Sequence, residues 1–147
     1  MSILKSFNVS ESGLHAHARR LEIHAINLAN LNTPNYSRKI PTISSKDDIS
    51  FGNVLNNMKD ETFSTGSIPN TSAGVSFTGV IEDPTLGDLE YAPGHPDADE
   101  NGYIRRSNVN PMVDMADSIL TSRAYEANIA VMGITKAMAQ KATEIGR

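Results

Sequence analysis

Apolar residues recur at alternating three- and four-residue intervals at both ends of the chain. In the N-terminal segment one heptad position holds only large apolar residues and the other includes two alanines, and in the C-terminal segment eight of the ten residues at the two heptad positions are apolar. Because large and small side chains at this spacing interlock in close helix pairs, the pattern predicts two long helices that pack as a coiled coil. The strongest positions of this assembly seam are Leu14, Leu21, Leu28, Leu120, Ile134 and Met138.

A second apolar stripe lies on another face of each predicted helix. Its members are Ile23 and Ile26 in the first helix and Met112, Ala116, Ile119, Ala130 and Ala137 in the second. One helical partner covers only one stripe, and a chain with four Phe, four Tyr and no Trp has few large side chains for the other. We infer that other chains cover the remaining apolar surface.

Local signals indicate where the two helices begin. Ser10 or Ser12 suits the N-cap of a late start, which would leave the first nine residues as a separate or frayed turn. Asn110 followed by Pro111 suits the start of the C-terminal helix. We expect residues 1–33 and 110–147 to form one discontinuous coiled-coil domain.

The stretch "NLANLNTPNYSRK" places three asparagines at the end of the first helix. Asn30 or Asn32 tolerates the left-handed conformation that closes a helix, and Pro34 prevents its continuation. Asn27 lies one turn earlier, where a polar group in a packed seam would fix the register of an assembly. We therefore expect Asn27, Asn30, Pro34 and Tyr36 to be inter-subunit or turn positions.

The periodicity changes between the helices, over residues 34–109. "AGVSFTGVIED" alternates and predicts a strand with Val75, Phe77 and Ile81 on one side and a weak point at Gly79. Shorter extended segments are "RKIPTI", "DLEY" and "GYIRR", whereas residues 44–72 are polar and typical of a loop. The predicted fold class is mainly α with a small β insert.

Composition and charge exclude several functional classes. The chain of 147 residues has a net charge of −4 and no cysteine, which excludes disulfide scaffolds and thiolate sites. Residues 41–111 carry eleven carboxylates against four basic side chains, so nucleic-acid binding is not expected. No apolar run is long enough for a membrane span, and "MSILKSFNVS" lacks the apolar block of a cleaved secretory signal.

The sequence motifs for metal binding and catalysis are incomplete. "DADENGYIRRSN" matches the first positions of an EF-hand calcium loop from Asp97, but Asn108 stands where a bidentate Glu is required, so a tight acidic turn is the preferred interpretation. His17 and His24 align on one helix face, and solvated histidines are favoured there over a metal site. Without a nucleophile motif or phosphate loop we expect no enzyme, no cofactor and no metal.

The segment "SRAYEAN" leaves two interpretations open. Arg123, Tyr125 and Asn128 form either a solvent-facing strip, in which Arg123 pairs with Glu126, or an inter-subunit docking patch.

Both ends of the chain resemble one family. "NLANLNTPNYSRK" is similar to the signature "ANNLANxxTPxY" of the bacterial flagellar axial proteins, which form the rod, hook and hook-associated structures. The C-terminal stretch from "PGHPDADENG" to the last residue looks like that of flagellar basal-body rod proteins of the FlgC type. The length fits a proximal-rod subunit, whereas the resemblance says little about residues 40–88.

The resemblance implies a structural subunit of the proximal rod. Members of the family are exported through the flagellar type III export apparatus without a cleaved signal. They polymerise with their own copies and with other rod proteins into a hollow drive shaft in the periplasm, which transmits torque and conducts exported subunits. The residues alone also permit a soluble helical adaptor or an export-associated binding module.

Overall fold

Two long helices and two short hairpins make up the computed structural model, which describes residues 3–46 and 74–145. Helix α1 spans Ile3–Ala29 and helix α2 spans Pro111–Ile145. Strand β1 (Lys39–Ser45) pairs with β2 (Val75–Glu82), and β3 (Leu89–Tyr91) pairs with β4 (Tyr103–Arg105), both antiparallel. The expected mainly α fold with a small β middle is confirmed. The predicted loop over residues 44–72 lies almost wholly outside the described residues.

Helix α1 begins earlier than the late start considered from sequence. It is continuous from Ile3, so the expectation of a separate turn before a Ser10 or Ser12 cap is wrong. The Ser12 hydroxyl instead donates to the Val9 carbonyl at 2.7 Å and accepts from the Val75 N–H at 3.2 Å. Ser12 therefore ties the middle of α1 to the start of β2.

The end of α1 is closed by a side chain. The Asn30 side-chain amide donates to the Ile26 carbonyl at 2.8 Å, and the Asn30 N–H donates to the same carbonyl at 3.1 Å, so the last turn closes without a left-handed residue. The left-handed position is Asn35, with φ of 59°, and the expectation that Asn30 or Asn32 holds it is wrong. Because Asn35 follows Pro34, the positive φ belongs to the turn that leads into β1.

A bulge interrupts the β1–β2 ladder. Thr42 pairs with Gly79 but Ile43 pairs with Phe77, so Thr78 is the extra residue on β2. Gly79 has φ of 151°, which only glycine adopts readily. Because one extra residue reverses the alternation, Ile81 is exposed and does not share a buried side with Phe77, contrary to expectation.

Helix α2 starts at the expected residue. The Asn110 side-chain oxygen accepts from the N–H groups of Met112 at 3.0 Å and Val113 at 3.4 Å, which is an N-cap. Pro111 occupies the first helical position, where its missing N–H is not needed. No helix within the described residues has both the length and the apolar character that crossing a bilayer requires.

The two helices run antiparallel and pack through polar and small residues. His24 meets Asp114 near one end of the pair, and Gly13 approaches Asn128 farther along. Among the described residues, the buried apolar side chains are those of Ala16 and Val109. Buried polar ones outnumber them: Ser10, His24, Asn27, Asp114, Thr121 and Thr135. The large apolar residues of α2 lie mostly on its outward faces, the reverse of an ordinary globular arrangement.

Candidate functional site

A buried carboxylate joins the two helices to the first strand. Asp114, in the first turn of α2, is fully buried. Its Oδ1 lies 2.8 Å from Nδ1 of His24 and accepts from the Asn27 amide at 3.2 Å, both in α1. Its Oδ2 accepts from Nε of Arg38, just before β1, at 2.9 Å. The Asp114 cluster, defined as Asp114, His24, Asn27 and Arg38, thus connects three segments that are distant in sequence.

The side-chain amide of Asn27 pairs with the backbone at the start of β1, in the way that the backbone of a neighbouring strand would. Its Nδ2 donates to the Lys39 carbonyl at 2.8 Å, and its Oδ1 accepts from the Lys39 N–H at 2.9 Å. The Tyr36 hydroxyl also donates to Oδ1, at 3.1 Å. The side chain has no exposed surface, and its described hydrogen bonds stay within the chain. Its direct role is therefore to fix the path of the chain after α1.

Asn108 holds the other side of the same segment. Its Oδ1 accepts from the Arg38 N–H at 2.6 Å, and its Nδ2 donates to the Thr85 carbonyl at 2.7 Å. Residue 108 lies two positions before the cap of α2, and Thr85 lies in the connection between the hairpins. Two asparagines therefore bond to the backbone on either side of Arg38, whose guanidinium reaches Asp114.

Charge complementarity stabilises the ionised form of this cluster. Burial opposes ionisation of Asp114, but hydrogen bonds from Arg38, His24 and Asn27 outweigh it and lower the pKa of the carboxyl. The hydrogen bond to Asp114 raises the pKa of Arg38 against the opposing effect of burial. Burial, together with the negative charges of Asp114 and Glu82, raises the pKa of Tyr36. Since an ionised carboxylate only accepts hydrogen bonds, Nδ1 of His24 is assigned as a donor.

Acid is therefore expected to weaken this connection. The pKa of Asp114 is lower in the folded chain than its ordinary value of 3.8, so the unfolded chain binds the proton more tightly. The stability that Asp114 contributes is complete above that ordinary value and is lost as the pH falls through the folded pKa. The urea midpoint of the wild-type chain should fall more steeply below about pH 4 than that of Asp114→Asn, which cannot titrate there. Parallel pH profiles of the two proteins would contradict this expectation.

The remainder of the helix contact needs few hydrogen bonds between helices. The Ser118, Thr121 and Thr135 hydroxyls each donate to the carbonyl four residues earlier in α2, at 2.7–2.8 Å. A Cβ placed on Gly13 would lie 2.9 Å from Nδ2 of Asn128, so the backbone of Gly13 lies directly against the Asn128 side chain. Small side chains that satisfy their own hydroxyls allow the close contact.

The predicted seam residues lie largely outside this contact. Leu120, Ile134 and Met138 are 66%, 61% and 62% exposed, and with Val131 they form an apolar strip that we call the outer stripe of α2. On α1, Leu21 is exposed, whereas Leu14 and Leu28 are half-buried. The contact within the chain therefore uses other positions than the heptad predicted from sequence, and the outer stripe remains free to pack elsewhere.

The remaining predicted positions fall in different surroundings. Arg123 is exposed and pairs with Glu126 at 3.0 Å, as the solvent-strip interpretation expects, and Tyr125 is half-buried. Asn128 faces Gly13 across the helix contact. Asn30 and Pro34 lie in the turns between α1 and β1.

The acidic turn after Asp97 connects β3 to β4. Oδ1 of Asp99 accepts from the N–H groups of Asn101 at 2.9 Å and Tyr103 at 2.8 Å. This carboxylate is therefore engaged by backbone donors of its own turn. Within residues 3–46 and 74–145, no group of three or more His, Asp or Glu side chains is arranged to hold a metal ion.

Sequence reasoning missed the Asp114 cluster except for Asn27. The expectation that His24 is solvated is wrong, because its side chain is buried and lies 2.8 Å from Asp114. Asn108 enters the sequence-based predictions only as the last position of the acidic loop, and Arg38 and Asp114 do not enter them. One signal was available: Asp114, Thr121, Asn128 and Thr135 recur every seven residues, which marks a polar stripe on α2. The apolar heptad on the same helix favours the opposite assignment, because the polar face of an amphipathic helix is ordinarily assigned to solvent.

Comparison with known proteins assigns the chain to a family. Residues 7–36 match the family model described as flagella basal body rod protein, and residues 100–145 match that of the flagellar basal body rod FlgEFG protein C-terminal segment. The flagellar basal-body rod protein FlgC of Bacillus subtilis is 35% identical over 157 residues, with all of both chains covered. The chain belongs to the FlgC family of flagellar basal-body rod proteins. The FlgC proteins of Buchnera aphidicola and Salmonella typhimurium are 34% and 31% identical over 148 residues, with 98–100% of every chain covered.

Membership in the FlgC family defines the general role of the chain. It is a structural subunit of the flagellar basal-body rod, as the resemblance of both chain ends implied, and the family is structural rather than enzymatic. The two family models cover most of α1 and all of α2, together with the hydrogen-bonding residues Asn27, Tyr36 and Asp114. Rod assembly is therefore the function to which the outer stripe and the Asp114 cluster must be related.

Proposed function

We propose that the chain is a subunit of the proximal rod and polymerises through its terminal helices into a hollow drive shaft. In this proposal α1 and α2 of neighbouring subunits pack as a coiled coil around a central channel, and the hairpins lie outside it. The shaft transmits torque and conducts exported subunits. The observation that carries the proposal is the outer stripe of α2, a long apolar surface that the chain leaves exposed.

The energetics of the outer stripe favour association. Complete burial of one large aliphatic or Met side chain contributes about 1.5–3 kcal/mol. Since its four side chains are roughly half exposed, covering them would contribute about 5 kcal/mol per subunit. Leu14, Leu21 and Leu28 of α1 are the proposed counterpart on a neighbouring copy, where their side chains would interlock with those of the outer stripe. A surface and its distinct complement on one subunit make a head-to-tail contact, which generates an open helical polymer where the rotation between subunits does not close into a ring.

The Asp114 cluster has a supporting role in this proposal. Asn27 and Asn108 hold the segment around Arg38, and Asp114 fixes that segment to both helices. Identical subunits assemble regularly only if each presents the same faces at the same angles. We therefore assign Asn27 an indirect role in assembly. Among Arg123, Tyr125 and Asn128, the exposed Arg123 is the best candidate for a direct contact between subunits.

The proposed partners are copies of this chain, other rod proteins and the flagellar type III export apparatus. The last would export the chain into the periplasm without cleavage of a signal. The relatives named above are all basal-body rod proteins, which supports the rod partners. The export route rests on the family resemblance of the chain ends.

Fractionation of hook–basal bodies tests the proposal. A tagged chain that replaces the native copy in its own bacterium should co-purify with intact hook–basal bodies at a fixed ratio to other rod proteins. The purified chain alone should be largely monomeric, with fast amide hydrogen exchange in the terminal helices that becomes slow in the assembled rod. A soluble adaptor would instead be absent from the particles and well protected alone, and that result would refute the proposal.

A further inference from the structure

The methionines of α2 are unusually accessible. Of the six methionines in the chain, four lie in this helix. Met112, Met115 and Met138 are 77%, 54% and 62% exposed, whereas Met132 is half-buried. Methionine ordinarily fills gaps in apolar cores, where its sulfur is shielded. Three thioethers on one helix of this chain are instead open to dissolved reagents.

Their positions coincide with apolar surface. Met112, Met115 and Ile119 follow one another at three- and four-residue intervals, as do Val131, Ile134 and Met138. Residues at these intervals are neighbours on a helix surface, and all six side chains are exposed. Met138 belongs to the outer stripe, whereas Met112 and Met115 belong with Ile119 to a second exposed apolar strip, about 80–140° around the helix from Met138. A change in the polarity of these sulfurs would therefore act on both exposed apolar strips of α2.

We propose that Met112, Met115 and Met138 are sites of oxidation by hydroperoxides, and that their oxidation blocks entry of the chain into the rod. This inference rests on the proposed function, because it assigns the exposed face of α2 to subunit contacts. It adds a class of modification, sulfoxide formation, and a stage at which the chain is vulnerable, between synthesis and assembly.

The chemistry is a two-electron oxygen transfer. The thioether sulfur attacks one oxygen of the hydroperoxide, the S–O bond forms and the O–O bond breaks. The proton on the transferred oxygen passes to the leaving oxygen, which departs as water or an alcohol. Sulfur is oxidised, the peroxide is reduced, and no bond of the polypeptide breaks. The product is a polar sulfoxide in place of an apolar side chain.

Assembly should suffer because a polar oxygen would be buried among Ile, Leu and Val side chains. The sulfoxide oxygen loses its hydrogen bonds to water there and finds no donor on an apolar partner. We expect each sulfoxide to lower incorporation at least about fivefold, and the three together to reduce it further.

The first test follows the rate of oxidation at each methionine. Purified chain is treated with hydrogen peroxide, and the sulfoxide content of each peptide is measured over time by mass spectrometry. Met112, Met115 and Met138 should react faster than Met132, which serves as the internal control. In intact hook–basal bodies the three should react at least about fivefold more slowly than in the free chain, because the neighbours cover them. Equal rates for Met132 and the three, or unchanged rates in the particles, would overturn the inference.

The second test replaces the three methionines by side chains of permanently polar or permanently apolar character. A chain with Met→Gln at 112, 115 and 138 carries polar groups of similar length, and the Met→Leu chain is the matched apolar version. Both are checked for helix content by circular dichroism, and their amounts in hook–basal bodies are compared. The Gln chain should be depleted relative to the Leu chain, and equal incorporation would refute the inference alone. If even wild-type chain is absent from the particles, the proposed function itself fails.

Discussion

Leu120→Asp combined with Ile134→Asp is expected to remove the chain from the rod while leaving its fold intact. Both side chains are more than half exposed, so the new carboxylates remain solvated in the free subunit and cost little there. In the assembly the same carboxylates would be buried against apolar side chains without a partner. We expect more than a tenfold loss of the chain from purified hook–basal bodies, and loss of swimming.

The matched control for this variant is Gln140→Asp. It adds a carboxylate at an exposed position of the same helix, and at 3.6 residues per turn it lies on nearly the opposite side from Leu120. Its incorporation should remain close to that of the wild type. Circular dichroism and urea unfolding of the purified chains separate an assembly defect from a folding defect. Normal motility of the double variant would show that the outer stripe makes no contact that the rod requires.

Asp114→Ala is expected to be the most destabilising single substitution in the polar contact. Removing the carboxylate leaves Arg38, His24 and Asn27 without their shared hydrogen-bond acceptor. Breaking a buried charge pair in this way typically costs about 3–5 kcal/mol. We expect a loss of about 3 kcal/mol, at the lower end of that range. The Arg38 side chain keeps 20% exposure and has Asp117 within 3.7 Å, so its charge is not left wholly unpaired.

Asp117→Ala provides the comparison for this loss. Asp117 is partly exposed and makes one long contact with Arg38, so its removal should cost less than about 1 kcal/mol. Urea unfolding followed by far-ultraviolet circular dichroism gives both values. If the two variants proved equally stable, the Asp114 cluster could not be the connection that holds β1 against the helices.

Much of the local structure followed from neighbouring residues along the chain. The three-to-four-residue periodicity predicted both helices, and Asn110 with Pro111 gave the start of α2. All four extended segments form strands. The errors lie where a distant partner decides the outcome. Ser12 bonds to Val75 inside a continuous helix, and the bulge at Gly79 turns Ile81 outward.

The face on which the two helices meet could be identified only from the tertiary structure. From sequence, the apolar heptad was the natural contact, because burying Leu and Ile is ordinarily the main source of stability. The chain instead buries Asp114, Thr121 and Thr135 against α1, and leaves Leu120 and Ile134 exposed. The polar groups that α2 buries are satisfied: Asp114 accepts from Arg38 and Asn27 and pairs with Nδ1 of His24, and Thr121 and Thr135 donate to carbonyls of their own helix. On the α1 side, Nε2 of His24 is buried without a hydrogen-bond partner among the described residues.

The sequence by itself determined two long amphipathic helices, the N-cap of the second, a small β insert and membership in a family of rod subunits. These depend on periodicity, turn chemistry and similarity, which are read along the chain. Only the tertiary structure decided that the polar stripe faces inward and the apolar stripe outward. The physical reason is that a buried carboxylate is stable only where donors from distant segments converge on it, and sequence spacing does not reveal that convergence.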